Sequence, residues 1–485
     1  MKDRLFIEEW EVKNKSDVQK EIMISSLNLK ESTKGYKGDY GFFVSSNSKE
    51  KIVLEPNESY SFYQFFGATL NEEQGNFNGS QAKQSRIDFL NECKSKLVLE
   101  SPDPIMNTLF YFSKIRATES IFHSSMGLVH SPGGGNYYVG IWANDQVEYS
   151  GPFFPYLGIE KGNTAAYNAY KMFAKNIPKD DHHIAYAFEV DGNFHMTHLD
   201  RGDAAMIAYG TSKYLLARES QKECKELWPL IEWSLNYCES KRNREGAVQS
   251  ESDEMEGRIE IGTANLSTSA MYYGALKQSS ILAKLLGQED KAALYEAQQK
   301  EMADVIENYF GATIEGLKTY KYFKENKLLR HWIGMPLVMG ITERKEGTIK
   351  ALFDKLWTEN GVLVEYDPEH TDKQKEFWDR ATLYSLRGAF SIGETNSAFE
   401  KLYAYSRKRL IGDHVPYAVE AYPENQMKHL SAESALYCRI FTEGLLGMEL
   451  NFGILTIQPQ LPEEWNDLKL RNIFDKSLDI HLERK

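Results

Sequence analysis

The sequence predicts a mainly α-helical protein: an (α/α)6 barrel preceded by an antiparallel β-sandwich and followed by a short β appendage. Three observations predict it. Residues 1 to about 95 alternate apolar and polar positions between turn residues. From Ser101 to about Gly447, apolar positions recur at helical spacing, and beyond that point short alternating runs return. The expected boundaries are 1–98, 99–450 and 451–485.

The amino-terminal strands are LFIEEWEVKN, EIMISSLNL, GDYGFFVSS, KIVLEP and ESYSFYQFFGATL, with Gly, Asn, Ser and Pro turns between them. The run opens directly on a strand, the pattern of a larger sandwich cut at its amino end. At Ser101-Pro102-Asp103-Pro104 the period changes, and Pro104 stands where a helix favours proline, at its start. LDRGDAAMIAYGTSKYLLAR is apolar on nearly all sides, which predicts a helix buried between others. ANLSTSAMYYGALKQSSILAKLLG ends with Gly287 at a C-cap position. Met302, Val305, Ile306 and Tyr309 make one apolar stripe, that of an outer helix. TIKALFDKLW, RATLYSLRGAF, NSAFEKLYAYSRKRL and SAESALYCRIFTEGLLG continue the alternation. About a dozen helices in antiparallel hairpins suit a closed toroid, and no fixed-period repeat supports a solenoid.

With 485 residues the chain is long enough for two or three domains. Its net charge is -13 with cations interspersed, so no basic stripe favours nucleic acid. No stretch reaches the ~20 apolar residues of a membrane span, and no membrane partner is expected. MKDRLFIEEW lacks a signal-peptide core, which predicts a cytoplasmic protein, or a periplasmic one if a leader has been removed. Cys93, Cys224, Cys238 and Cys438 lack metal-ligand spacing and read as reduced thiols. Gly133-Gly134-Gly135 has neither P-loop spacing nor a Rossmann context, so no nucleotide cofactor is expected. Adjacent histidines in Asp180-Asp181-His182-His183 diverge on a helix or strand, which disfavours a metal site there or at His195 and His198.

Chemistry concentrates in Ile141–Gly158, where Asp145 and Glu148 stand among Trp142, Tyr149, Phe153, Phe154 and Tyr156. Rings stack on apolar sugar faces, and a partly desolvated carboxyl keeps its proton near neutral pH. A loop of packed aromatics and solvated acids is the plainer reading. Four further loops precede buried helices. His195–Asp203 offers Arg201 and Asp203, or simply an N-cap and a surface ion pair. In Glu251–Glu260 most charges read as solvated, leaving Glu260 nearest the next helix. Trp378 and Arg380 frame a sugar, and Glu420 beside Tyr422 and a proline turn is a well-placed base.

These residues carry a resemblance. Trp142-Ala143-Asn144-Asp145 resembles the Trp-x-Arg-Asp general-acid loop of six-hairpin glycosidases, the group of debranching amyloglucosidases, processing α-glucosidases, trehalases and α-L-rhamnosidases. Asn144 stands where that loop has Arg. The segment from Glu260 through Asn265 to Tyr272 and Leu276 resembles their Glu-x-Asn-x-x-x-Tyr-x-Ala-Leu, in which the Glu contacts substrate. Trp378-Asp379-Arg380 resembles their Trp-Arg-Gly loop without its Gly, and Glu420-Ala421-Tyr422 their base-bearing Glu-x-Tyr. Leu455 to Trp465 resembles their exit into a carboxy-terminal β-domain, so the likeness spans nearly the whole chain.

The resemblance implies an inverting exo-glycosidase on an α-linked oligosaccharide or glycoside, with Asp145 as acid and Glu420 as base. Trp142, Asn144, Glu148, Arg201, Asp203, Glu260, Trp378, Arg380 and Tyr422 would bind substrate, with Glu148 a reserve acid and no metal or cofactor required. A disaccharide phosphorylase shares the barrel and replaces the base by phosphate. A lyase or epimerase would use His195 and His198. A glycan-binding protein without turnover would need neither Asp145 nor Glu420.

Overall fold

The computed structural model describes residues 5–35, 37–71, 78–133, 140–190, 195–370, 377–412, 415–422, 431–474 and 478–484. The chain divides into two compact units, Met1–Glu92 and Cys93–Lys485. In the first, an antiparallel sheet orders Leu5–Lys13, Ser59–Leu70, Gly38–Ser46 and Leu29–Gly35 side by side. Lys20–Met23 pairs separately with Lys51–Leu54.

Residues 79–95, expected among the strands, are instead the helix Gly79–Ser95. Asn78 starts it by accepting the Gln81 N–H on its side-chain oxygen. Beyond Gly79 the segment holds helix formers such as Gln81, Ala82, Lys83 and Leu90 and no proline. Scattered apolar residues there look like alternation when read in a short window.

The second unit is mainly helical. Asp103 caps Pro104–Glu119 through the N–H groups of Ile105 and Met106, at 2.9 and 3.0 Å. Six helical segments then contact one another in sequence. Ala143–Ser150 packs on Asp203–Arg218, which packs on Leu266–Leu285. Met335–Met339, Asp379–Ser391 and Ala432–Arg439 follow, and the last returns to Ala143–Ser150. In Asp203–Arg218 every residue except Lys213 and Arg218 is buried, as its all-round apolar sequence requires.

Other helices back this series. Gln221–Ser240 packs on Asp203–Arg218, Glu289–Val305 on Leu266–Leu285, Thr395–Ile411 on Asp379–Ser391, and Pro104–Glu119 on Ala432–Arg439. Glu289–Val305 buries only Ala292, Tyr295 and Met302, the single stripe of an outer helix. Residues 451–485, expected as a separate appendage, fall within this unit: Asp467–Ile473 pairs with Leu478–Glu483 and with Val98–Glu100. All four cysteines are free and buried. Among the described residues, no helix is long and apolar enough to cross a membrane.

Candidate active site

Acidic and basic side chains gather at the amino-terminal ends of the buried helical segments. Strand Gly140–Trp142 pairs with Ala187–Glu189 and leads into Ala143–Ser150, which is wound as a π-helix with all eight residues buried. Asp145 lies in its first turn. Arg380 is the second residue of Asp379–Ser391, and Glu433 the second of Ala432–Arg439. Glu254 sits in the loop before Leu266–Leu285. Its neighbour Asp253 fixes that loop by accepting the Met255 N–H at 2.7 Å and the Tyr322 hydroxyl at 2.5 Å.

Arg380 is the hub. Its Nη2 donates to Asp145 Oδ1 at 3.0 Å and lies 3.8 Å from Glu420 Oε1. Its Nε donates to Glu433 Oε1 at 2.6 Å and its Nη1 to Glu254 Oε2 at 3.4 Å. The guanidinium also faces the rings of Tyr149 and Trp378, at 5.4 and 5.5 Å. Asp145, Glu254 and Glu433 are buried, whereas the Glu420 side chain keeps 12% of its surface exposed, beside Arg258 at 3.9 Å. Glu420 is the least buried of the four carboxylates.

Four carboxylates crowd around Arg380, with Arg258 and Arg201 only at the margins, and such crowding in a buried site favours their protonated forms. Burial pushes the Asp145 carboxyl well above its ordinary value. Arg380 opposes that shift, and the charges of Glu433, Glu420 and Glu254 reinforce it. Glu433 is raised for the same reasons, burial first. Glu254 is pushed up to about 7, by burial against the pull of Arg380 and the Tyr149 hydroxyl. All three shifts are toward the protonated form, the form a general acid needs.

Around this hub the expected residues divide. Arg201 joins the site's edge, donating to Asp203 Oδ1 at 2.8 Å, Glu256 Oε1 at 3.1 Å and Asn144 Oδ1 at 3.3 Å. Its guanidinium lies 5.2 Å from the Trp142 ring and 4.5 Å from that of Tyr186. Asn144 in turn donates to Glu254 at 3.3 Å, which ties this edge to the hub.

Glu148 sits in a different network. It accepts from Tyr384 and from Arg439 Nη1 at 3.5 Å, next to Glu443, Lys213 and Arg387. Both networks are buried, and Glu148 makes no bond to Arg380 among the described residues. Glu260 is exposed and bonds none of the hub residues among the described residues, whereas Glu254, six residues earlier in the same loop, bonds Arg380. The Tyr422 side chain lies outside the described residues. His198 bonds the Tyr186 hydroxyl through Nδ1 at 2.8 Å, while His183 faces the Thr197 carbonyl at 2.8 Å.

Glu254 and Glu433 escaped the sequence reading, and Tyr149 was named there without a role. Glu254 lay within the flagged acidic run, where its neighbour Met255, an apolar residue amid charges, was the available signal. Glu433 stands in the first turn of a buried helix, in SAESALYC, where an acid among small residues was the clue. Tyr149 lay inside the aromatic stretch itself.

In sequence, no family model and no curated protein matches the chain. Solved structures match it in fold. A sialidase aligns at TM-score 0.61 and 13% identity, covering 87% of this chain and 43% of that one. Bacterial glucoamylase complexed with acarbose aligns at 0.59 and 12%, covering 86% and 75%. A rhamnosidase from Klebsiella oxytoca with rhamnose bound aligns at 0.57 and 9%, covering 91% and 86%. The chain thus spans less than half the length of the sialidase it matches. At these identities the likeness is one of fold.

Proposed function

We propose that this protein is a carbohydrate-active enzyme: an inverting exo-glycoside hydrolase that cleaves an α-linked sugar with two carboxylates. The observation that carries the reading is Asp145 and Glu420 sharing one nitrogen of Arg380, the first fully buried with a raised pKa and the second slightly more exposed. Asp145 gives its proton to the departing glycosidic oxygen, and Glu420 takes one from the attacking water. Trp142, which keeps some exposed surface and is backed by Arg201, holds the sugar at the cluster's edge. Two of the structurally similar proteins carry acarbose or rhamnose, which supports a sugar substrate. The closed series of six helical contacts supports an (α/α)6 barrel, and the amino-terminal sheets support a β-sandwich before it.

Distances of 3.0 and 3.8 Å to a common nitrogen keep the Asp145 and Glu420 oxygens no more than about 7 Å apart. That bound admits the ~5–5.5 Å of retaining enzymes as well as the lower edge of the roughly 6.5–9.5 Å of inverting ones, so the anomer released decides between them. Glu254 is the second reading for the proton donor. Its pKa near 7 suits the role, and it bonds the other terminal nitrogen of Arg380, so its spacing from Glu420 is not held to that limit.

Hydrolysis of aryl α- and β-glycosides with graded leaving groups decides among them. Loss of the acid spares substrates whose leaving group needs no proton, and loss of the base spares none. Asp145→Asn behaving as an acid variant and Glu420→Gln as a base variant supports the pair. Glu254→Gln taking the acid's place moves that role. Proton NMR of the first anomer released reports inversion or retention. Turnover that survives Glu420→Gln only with added phosphate makes the protein a phosphorylase.

A further inference from the structure

A second cavity lies outside the carboxylate cluster. It measures about 420 Å³ and is bounded by the end of helix Gln221–Ser240, the Asp200 loop and the segments around Gln249–Glu251 and Gly262–Thr263. That volume falls within the roughly 300–1,000 Å³ of small-molecule sites. None of the Arg380 carboxylates lines it; His183 and Ser250 complete its wall, which mixes polar groups with the Tyr237 ring, the Lys241 stem and the Thr263 methyl.

Its floor is built. Asp200 is only 6% exposed, and its two carboxylate oxygens accept the Tyr237 hydroxyl at 2.7 Å and the Gly202 N–H at 2.9 Å. Glu251 accepts the Asp200 N–H on Oε2 at 3.0 Å, and the Glu251 and Ser252 N–H groups return bonds to the Asp200 carbonyl. Tyr237 is fixed between the Trp233 ring, stacked at 5.2 Å, and the Lys241 ammonium at 5.0 Å. Hydrogen bonds and stacking thus hold the walls rigid without a ligand.

Above this floor the groups have work left to do. Among the described residues Lys241 makes no ion pair, and the exposed Gln249 and Thr263 side chains bond nothing else. These offer ammonium, amide and hydroxyl donors beside the remaining Glu251 oxygen and the Gln249 carbonyl as acceptors. Asp200 and Glu251 disfavour an anion, Lys241 offsets part of their pull on a cation, and the Tyr237 ring, the Lys241 stem and the Thr263 methyl add apolar surface between the polar groups. A neutral ligand dense in hydroxyls, each both donor and acceptor, matches what is left.

We propose that this cavity is a second sugar-binding site, distinct from the Arg380 cluster and independent of whether that cluster cleaves anything. Two loops join them: Asp200 adjoins Arg201, and Glu251 stands three residues before Glu254. A sugar unit held here anchors a glycan or a separate saccharide next to the loops that carry the site's edge.

Saturation-transfer NMR with glucose, galactose, rhamnose, maltose and cellobiose tests this on the full chain. Gln249→Ala and Thr263→Val alter surface groups, and an unchanged melting temperature verifies folding. At least one of these sugars is expected to bind about tenfold more weakly to these variants, the size of one or two lost hydrogen bonds, and to bind Asp145→Asn as it binds wild type. If every bound sugar is lost only in Asp145→Asn, the cavity proposal falls and the catalytic reading stands. If no sugar of the panel gives a signal, the cavity proposal falls as well.

Discussion

Asp379 and Arg409 meet in a buried bidentate ion pair, with Arg409 Nε donating to Asp379 Oδ2 at 2.9 Å and Nη2 to Oδ1. The same carboxylate accepts the Tyr405 hydroxyl at 2.8 Å and the Val419 N–H at 3.1 Å. The Asp379 N–H in turn donates to the Glu420 carbonyl at 3.1 Å. Asp379 therefore clamps the backbone that presents Glu420 and starts the helix that presents Arg380.

Breaking this pair strands a buried charge. Asp379→Asn is expected to cost about 3–5 kcal/mol, read as a lower urea midpoint. Because Glu420 is placed through backbone bonds, kcat should fall in the same variant before KM changes. A variant of unchanged stability would show that the charges are not paired in solution.

Glu254 makes stability depend on pH in a stated direction. Its folded pKa of about 7 lies above its ordinary 4.5, so the folded state binds more protons between these values. The associated stability is fully present below about 4.5 and is lost as pH rises through about 7, roughly 3 kcal/mol in all. Urea unfolding from pH 5 to 8 should show this decline in wild type, and Glu254→Gln should flatten it.

Glu443 works in the opposite sense. Burial pushes its pKa up, but Arg439, Lys213 and Arg387 together hold it far below the ordinary carboxylate range. Its stabilising contribution is therefore present above about 4.3 and disappears only in strong acid. Glu443→Gln should destabilise by about 3–5 kcal/mol at pH 7, with little change in pH dependence between 5 and 8.

Gly210 is required by close packing. A Cβ there would stand 2.2 Å from the Val147 carbonyl oxygen and 2.9 Å from Glu148 Cα. Alanine gains about 1 kcal/mol of helix propensity, but overpacking against backbone costs about 1–3 kcal/mol or more. Gly210→Ala should lower the melting temperature. It should also reduce kcat, because the displaced backbone carries Asp145.

The helical body was legible because its apolar period persists over hundreds of residues, and the buried Asp203–Arg218 helix announced itself by having no polar face. Asp145, Arg380 and Glu420 were legible as residue types in suggestive company. Their meeting was not, since Arg380 and Asp145 lie 235 positions apart and spacing carries no information over that range. Glu254 was hidden by its own charged neighbours, because a run of acids looks solvated until a cation from another helix is placed over it. Gly79–Ser95 was misread because its few apolar residues fit a period of two about as well as 3.6.

The π winding of Ala143–Ser150 has a consequence for descent. Its hydrogen bonds span five residues where an α-helix spans four, so the segment carries one residue more per turn than regular winding needs. Deleting one of the eight would restore the shorter α step and rewind the segment itself, turning its side chains relative to one another. Asp145 would then lose its alignment with Glu148 and Tyr149, which serve separate networks. Homologous chains should accordingly exchange residues in this segment more readily than they change its length.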